Sequence, residues 1–215
     1  MMPSTEQVKV KGSMIQSTLE VVKAKYGMAA YKKIVDSMQP DFRREIEKGI
    51  LVGSWYPVEL HAGIYNALDK EYARGNQQYF LEIGRMEADL AGKTVYRFLT
   101  KLAGPTMTVR AAKQLWGLTY SASRVEVQAG EKSLEFNIYE FPLADKNYIA
   151  TIAGYIQKSL EVAGAVNVKG TKQKCITKGD DYISISYTWE WLNEMFPYSG
   201  IFQRFQNISK IFQGQ

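Results

Sequence analysis

The feature that most narrows the fold is a change of hydrophobic period near Leu118. Before it, apolar residues recur every three to four positions; after it, they recur every second position. A chain that makes this switch must pack helices against a sheet, because neither half can bury its apolar side alone. In the first half, Ile15, Leu19, Val22 and Tyr26 share one helical stripe, with Ser13 as the expected N-cap and Gly27 as the expected stop. Met28 to Met38 reads as a second short helix, and Pro40 opens a third over Asp41 to Lys48 that Gly49 closes. Ile50 to Tyr56 reads as an apolar connector, after which Pro57 opens a helix with Leu60, Ile64 and Leu68 inward. Asn76 to Ala91, with the stripe Phe80, Ile83, Met86 and Leu90, then Thr94 to Leu102 and Met107 to Leu115, complete the helical half.

From Leu118 onward, alternating residues up to Glu126 and from Ser133 to Phe141 flank the polar turn Gln128 to Glu131 and read as a hairpin. A long amphipathic helix over Asp145 to Ala163 follows, with Tyr148, Ile149 and Ile152 on its apolar side. Val166 to Thr177 and Asp181 to Trp189 then read as strands joined by the turn-prone Lys178-Gly179-Asp180-Asp181. The expected class is α+β: an N-terminal helical half (8–117) packed on a C-terminal four-stranded antiparallel sheet of ββαββ order (118–190), together one domain over 8–190 behind a flexible 1–7. Residues 191–215 read as an amphipathic helix that packs on its own core, swaps or docks elsewhere, including on a membrane surface through 196–212.

The net charge of +5 is spread along the chain with no basic arm, so no nucleic-acid partner is expected. No apolar run approaches a membrane span, and the first residues lack a signal-peptide core, so a cytoplasmic location is expected. Cys175 is the single cysteine and His61 the single histidine. An internal disulfide, a Cys-rich zinc site and a nucleophile-imidazole pair of familiar spacing are therefore all missing, as are the glycine-rich phosphate cradles. The expectation is a protein that is not an enzyme. Trp55, Phe80, Phe98 and Trp116 face the sheet half and either fill the core or enclose a pocket for a small apolar ligand.

The segment Ala163 to Trp189 resembles the C-terminal signature of 4-vinyl reductase domains, a superfamily that includes the haem-NO-binding (H-NOX) sensors, the TRAPP trafficking subunits and an uncharacterised family expanded in myxobacteria. Val10-Lys11-Gly12-Ser13-Met14-Ile15, the long helix after it and Lys25-Tyr26-Gly27 resemble the opening of the sensors. The resemblance implies a dimeric sensory module that signals to a partner protein, or else a TRAPP-like scaffold with a filled core. It also implies sites that carry over poorly. Cys175 matches one zinc cysteine, but Ile183 stands where a second would fall, so zinc is not expected. Tyr120-Ser121-Ala122-Ser123-Arg124 keeps the Tyr and Arg of the Tyr-x-Ser-x-Arg motif that holds haem propionates, with Ala122 in place of its serine, and His61 lies far upstream of the axial position. Haem is not expected either. On a strand, Tyr120 and Arg124 share one face and are expected to contact an acidic ligand there.

Overall fold

The helices form where the spacing puts them, and glycine and proline set most of their ends. The computed structural model describes residues 8–92 and 112–191 of the chain. Strand β1 (Lys9–Lys11) leads directly into α1 (Gly12–Asp36), so Lys11, and not Ser13, occupies the N-cap position. Gly27 leaves helical geometry at φ 80° and ψ 174°, which breaks α1 into the two expected segments. Helix α2 (Pro40–Lys48) starts on Pro40 and ends at Gly49. The expected connector Ile50 to Tyr56 is more than a connector, because its end forms β2 (Trp55–Pro57), antiparallel to β1 with Val10 opposite Tyr56. Helices α3 (Val58–Leu68) and α4 (Gln77–Gly92) follow, linked by a π-helical turn at Asp69–Ala73.

The second half holds β3 (Arg124–Ala129), β4 (Ser133–Tyr139), α6 (Lys146–Val162), β5 (Ala165–Lys174) and β6 (Ile183–Trp191), after a helical stretch over 112–119, here α5. The sheet order is β3-β4-β6-β5 with every pairing antiparallel, so the fold is α+β with the anticipated ββαββ succession. Helix α6 is started by Asp145, whose carboxylate accepts hydrogen bonds from the backbone N–H groups of Asn147 (2.8 Å) and Tyr148 (3.0 Å). Leu134, Phe136 and Ile138 of β4 and Ile183, Ile185 and Tyr187 of β6 are buried. Tyr187 donates its hydroxyl to the Ala153 carbonyl at 2.9 Å, tying sheet to helix. Helix α4 crosses α6 closely, and Arg85 grips Glu161 with two hydrogen bonds of 2.7 and 2.9 Å.

One boundary differs from expectation with consequences for the site. The strand does not start at Leu118: helical bonding continues through Thr119, with Tyr120 N–H donating to the Trp116 carbonyl at 2.8 Å and the Thr119 hydroxyl to the Leu115 carbonyl at 2.9 Å. Tyr120 then bridges to Val10, and Ser121 N–H bonds the Lys9 carbonyl at 3.0 Å. Extended pairing with β4 begins only at Arg124. Tyr120 and Arg124 therefore do not share a face.

The expected helix over Thr94 to Leu102, most of that over Met107 to Leu115, the residue Phe98, the 1–7 segment and the terminal helix lie outside the described residues. Among the described residues no helix is long and apolar enough to cross a membrane.

The turn before β6 offers a direct check. Gly179 sits at φ 91° and ψ 8° and its N–H closes on the Ile176 carbonyl at 3.2 Å. A β-branched side chain is disfavoured there by about 1–2 kcal/mol. Gly179→Val is expected to lower the melting temperature by roughly 2–8 °C. An unchanged melt would mean that this turn has another conformation.

Candidate functional site

Helices α1, α3, α4, α5 and α6 and the inner face of β4 surround a cavity of about 540 Å³. Small-molecule pockets run from roughly 300 to 1,000 Å³. Much of the wall is apolar, with Leu115, Trp116, Leu134, Phe136, Ile152 and Ile156 on it. One side is polar: His61 and Tyr65 of α3, Glu87 of α4, Tyr148 of α6 and Tyr120 all line the cavity, with Thr18 of α1 fully buried behind them.

The helical repeat explains the grouping. His61 and Tyr65 are one turn apart on α3, and Glu87 follows Phe80 and Ile83 on the buried side of α4. Thr18 occupies the inner stripe of α1 beside Ile15 and Leu19. Tyr148 is placed by the Asp145 cap in the first turn of α6.

These groups form one hydrogen-bonded network. The Thr18 hydroxyl lies 2.7 Å from Glu87 Oε1 and 2.7 Å from His61 Nε2. The Tyr65 hydroxyl lies 3.0 Å from each of the same two atoms. His61 Nδ1 is 2.9 Å from the Tyr148 hydroxyl, which is 3.3 Å from that of Tyr120. One assignment of protons is consistent with these contacts: Tyr120 donates to Tyr148, Tyr148 to Nδ1, the Nε2–H is shared between the Thr18 and Tyr65 oxygens, and the Thr18 and Tyr65 hydroxyls donate to Glu87 Oε1. Glu87 Oε2 makes no hydrogen bond among the described residues, although Glu87 is only 1% exposed.

Burial governs the titration of the network. It drives the His61 pKa down to about 3, so the imidazole is neutral. It lifts Glu87 to about 7 against the opposing pull of the Thr18 and Tyr65 hydroxyls. The same desolvation raises Tyr65, Tyr120 and Tyr148, which keeps them protonated as donors. The described lining carries the carboxyls of Glu20 and Glu87 and no Lys or Arg.

Of the residues expected at a site, the structure brings two into this cavity, Trp116 and Tyr120. Trp55 is 38% exposed on β2 with the Lys11 ammonium 4.0 Å above its ring, away from the cavity. Phe80 is fully buried one layer behind, edge-on to Tyr65 with ring centroids 6.2 Å apart. Arg124 points outward, where its guanidinium lies 4.2 Å over the Tyr139 ring and pairs with Glu126. The acidic-ligand contact expected of Tyr120 and Arg124 together is thus excluded by their opposite orientations. Sequence reasoning missed Thr18, Tyr65, Glu87 and Tyr148 and set His61 aside. The detectable signal was the acid at position 87, seven residues after Phe80 and four after Ile83 on an otherwise apolar stripe.

No family model matches the chain, and no curated protein matches it in sequence. Solved structures do. A mutant of the S. oneidensis H-NOX protein in the Fe(II) ligation state superposes with a TM-score of 0.65 at 12% identity, covering 84% of this chain and 96% of that one. A mutant Fe(II) unliganded H-NOX protein from K. algicida gives 0.63 at 13% identity, covering 86% and 99%. An oxygen-binding H-NOX domain related to soluble guanylate cyclases, in its oxygen complex, gives 0.58 at 12% identity, covering 84% and 95%.

These neighbours correct the cofactor expectation. The poor match of single residues set haem aside, yet the fold is one whose solved examples hold iron in Fe(II) and oxygen-bound states. Tested on its own geometry, the described part of this chain does not fit that group. His61 has both ring nitrogens engaged, Arg124 faces away, and the described lining presents Glu20 and Glu87 but no Lys or Arg to acidic substituents. Cys175 is buried elsewhere, its Sγ 2.9 Å from the Thr177 hydroxyl and its N–H bonded to Asp180. What the likeness shows, at these identities, is the architecture: the chain has an H-NOX-like fold.

Proposed function

We propose that this chain is a non-enzymatic sensory module that binds a small amphipathic molecule in the cavity between helices and sheet and signals its occupancy to a partner protein. The observation that carries the reading is an apolar chamber of about 540 Å³ with a buried polar network along one side. Apolar walls supply affinity, and a few convergent polar groups supply orientation. The structural neighbours, described as oxygen-binding and Fe(II)-ligating, support a ligand-binding role for such a chamber. Binding without turnover is supported by the imidazole, which is neutral and committed at both nitrogens and so is no free base beside the hydroxyls of the wall.

The test uses a neutral fluorescent probe, N-phenyl-1-naphthylamine, titrated into the purified full chain. One saturable site in the micromolar range is expected. Leu115→Trp places a larger ring on the cavity wall and is expected to weaken binding about tenfold or more, with the circular dichroism spectrum retained. Absence of saturable binding, or binding that ignores Leu115→Trp, would overturn the reading and favour a scaffold acting through its outer surface.

A further inference from the structure

We propose that the molecule this cavity takes carries a protonated amine on an apolar body, with the ammonium seated on Glu87; this deepens the function proposed above and rests on it. Glu87 is 1% exposed, yet only Oε1 is occupied, by the Thr18 hydroxyl at 2.7 Å and the Tyr65 hydroxyl at 3.0 Å. Oε2 has no partner among the described residues, on a side chain that lines the cavity. A buried carboxylate without a counter-charge is costly, and a cation that reached Oε2 from the cavity would offset that cost.

The described groups around it supply no such charge. From α1 come Thr18 and Glu20, from α3 His61 and Tyr65, from α6 Tyr148 and Tyr155, and from the end of α5 Tyr120. Each is neutral or acidic, since His61 is uncharged and the buried tyrosines keep their protons. The described lining therefore favours a cation and repels an anion. Ring geometry points the same way: Tyr65 and Tyr148 stand edge to face with centroids 5.3 Å apart, and Trp116 and Phe136 likewise at 5.7 Å. Aromatic faces of this kind attract an ammonium and also pack against an aryl or alkyl body. When the free site holds a proton on Glu87, docking of an ammonium displaces that proton to solvent, and charge is conserved.

The test compares three ligands of one shape on the full chain by calorimetry: 1-naphthylmethylamine, 1-naphthylmethanol and 1-naphthylacetate. At pH 8 the amine is expected to bind about tenfold or more tighter than the alcohol, and the carboxylate weakest. Glu87→Gln is expected to bring the amine-to-alcohol ratio close to one. Wild-type protein provides the same test without mutation: at pH 5.5 the preference is expected to shrink, and titration in two buffers of different ionisation enthalpy is expected to show proton release that vanishes at pH 8.5. If amine and alcohol bind equally at pH 8, or the carboxylate binds best, the inference is wrong while the cavity remains a ligand site. If none of the three binds, the proposed function fails first.

Discussion

Gly154→Ala is expected to destabilise the protein by about 3 kcal/mol or more, enough to lower the melting temperature by roughly 6–12 °C. A methyl group at Gly154 would lie 1.9 Å from the Leu81 carbonyl oxygen, and one at Gly84 would lie 1.9 Å from that of Thr151. These are backbone atoms of the opposing helix, so no rotamer change relieves the clash, and α4 and α6 must move apart. Because the two glycines face one crossing, the double substitution should cost less than the sum of the single ones. Gly53→Ala, where nothing lies within 4 Å, serves as the control and should leave the melt unchanged. A Gly154→Ala protein melting with wild type would show that the helices are not in this contact. The crossing matters for function because Glu87 lies three residues beyond Gly84 and Tyr148 lies six before Gly154. Parting the helices would draw these groups away from each other.

The second large effect is a pair of opposed pH dependences. His61 titrates near 3 in the folded chain against 6.5 when exposed, so between those values the unfolded chain binds the extra proton. Its contribution is present above 6.5 and is lost as pH falls toward 3. Glu87 titrates near 7 against 4.5 when exposed, so the folded chain binds the extra proton. Its contribution is present below 4.5 and is lost as pH rises toward 7. Across pH 4.5 to 6.5 the two slopes oppose and largely cancel. Glu87→Gln removes the falling slope, so the stability of the variant relative to wild type should climb with pH by about 1 kcal/mol per unit. His61→Gln removes the rising slope, and its relative stability should fall by a similar amount. Urea denaturation at pH 4.5, 5.5 and 6.5 reads both, and groups outside the network cancel in the comparison with wild type. Two differences of the same sign, or two flat ones, would show that the network is not buried as described.

Much of the fold was legible because period and punctuation are local signals. Gly27, Pro40, Gly49 and Pro57 mark helix ends by backbone chemistry alone, and the ββαββ succession of the second half follows from alternation and two polar turns. The β1–β2 ribbon was not legible, because three residues are too few to show a period and their partner is distant in sequence. The α5–β3 boundary was misread because Leu118, Tyr120, Ala122 and Arg124 alternate in sequence while Thr119 and Tyr120 still bond to the helix behind them. That slip put Arg124 on the wrong face and paired it with Tyr120.

The site was less legible than the fold. Trp116 was reachable from aromatic content and Tyr120 from its place in the partial Tyr-x-Ser-x-Arg match, but Trp55 and Phe80 show that aromatic content does not separate pocket from surface or core. His61 and Tyr148 lie 87 positions apart, and only the packing of α3 against α6 brings them together. Glu87 is easily passed over despite its place on the apolar stripe, since charge on an amphipathic helix ordinarily faces water. Its burial becomes intelligible once Thr18 and Tyr65 are seen to supply its hydrogen bonds.

The most direct test of a ligand chamber built on this network is amide and indole chemical-shift mapping of the labelled chain during titration with 1-naphthylmethylamine at pH 8. Saturable shifts are expected at the Trp116 indole N–H and the backbone around Tyr65, Glu87 and Tyr148, with the outward strand positions near Arg124 unmoved. Shifts confined to the outer surface, or none at saturating ligand, would contradict it.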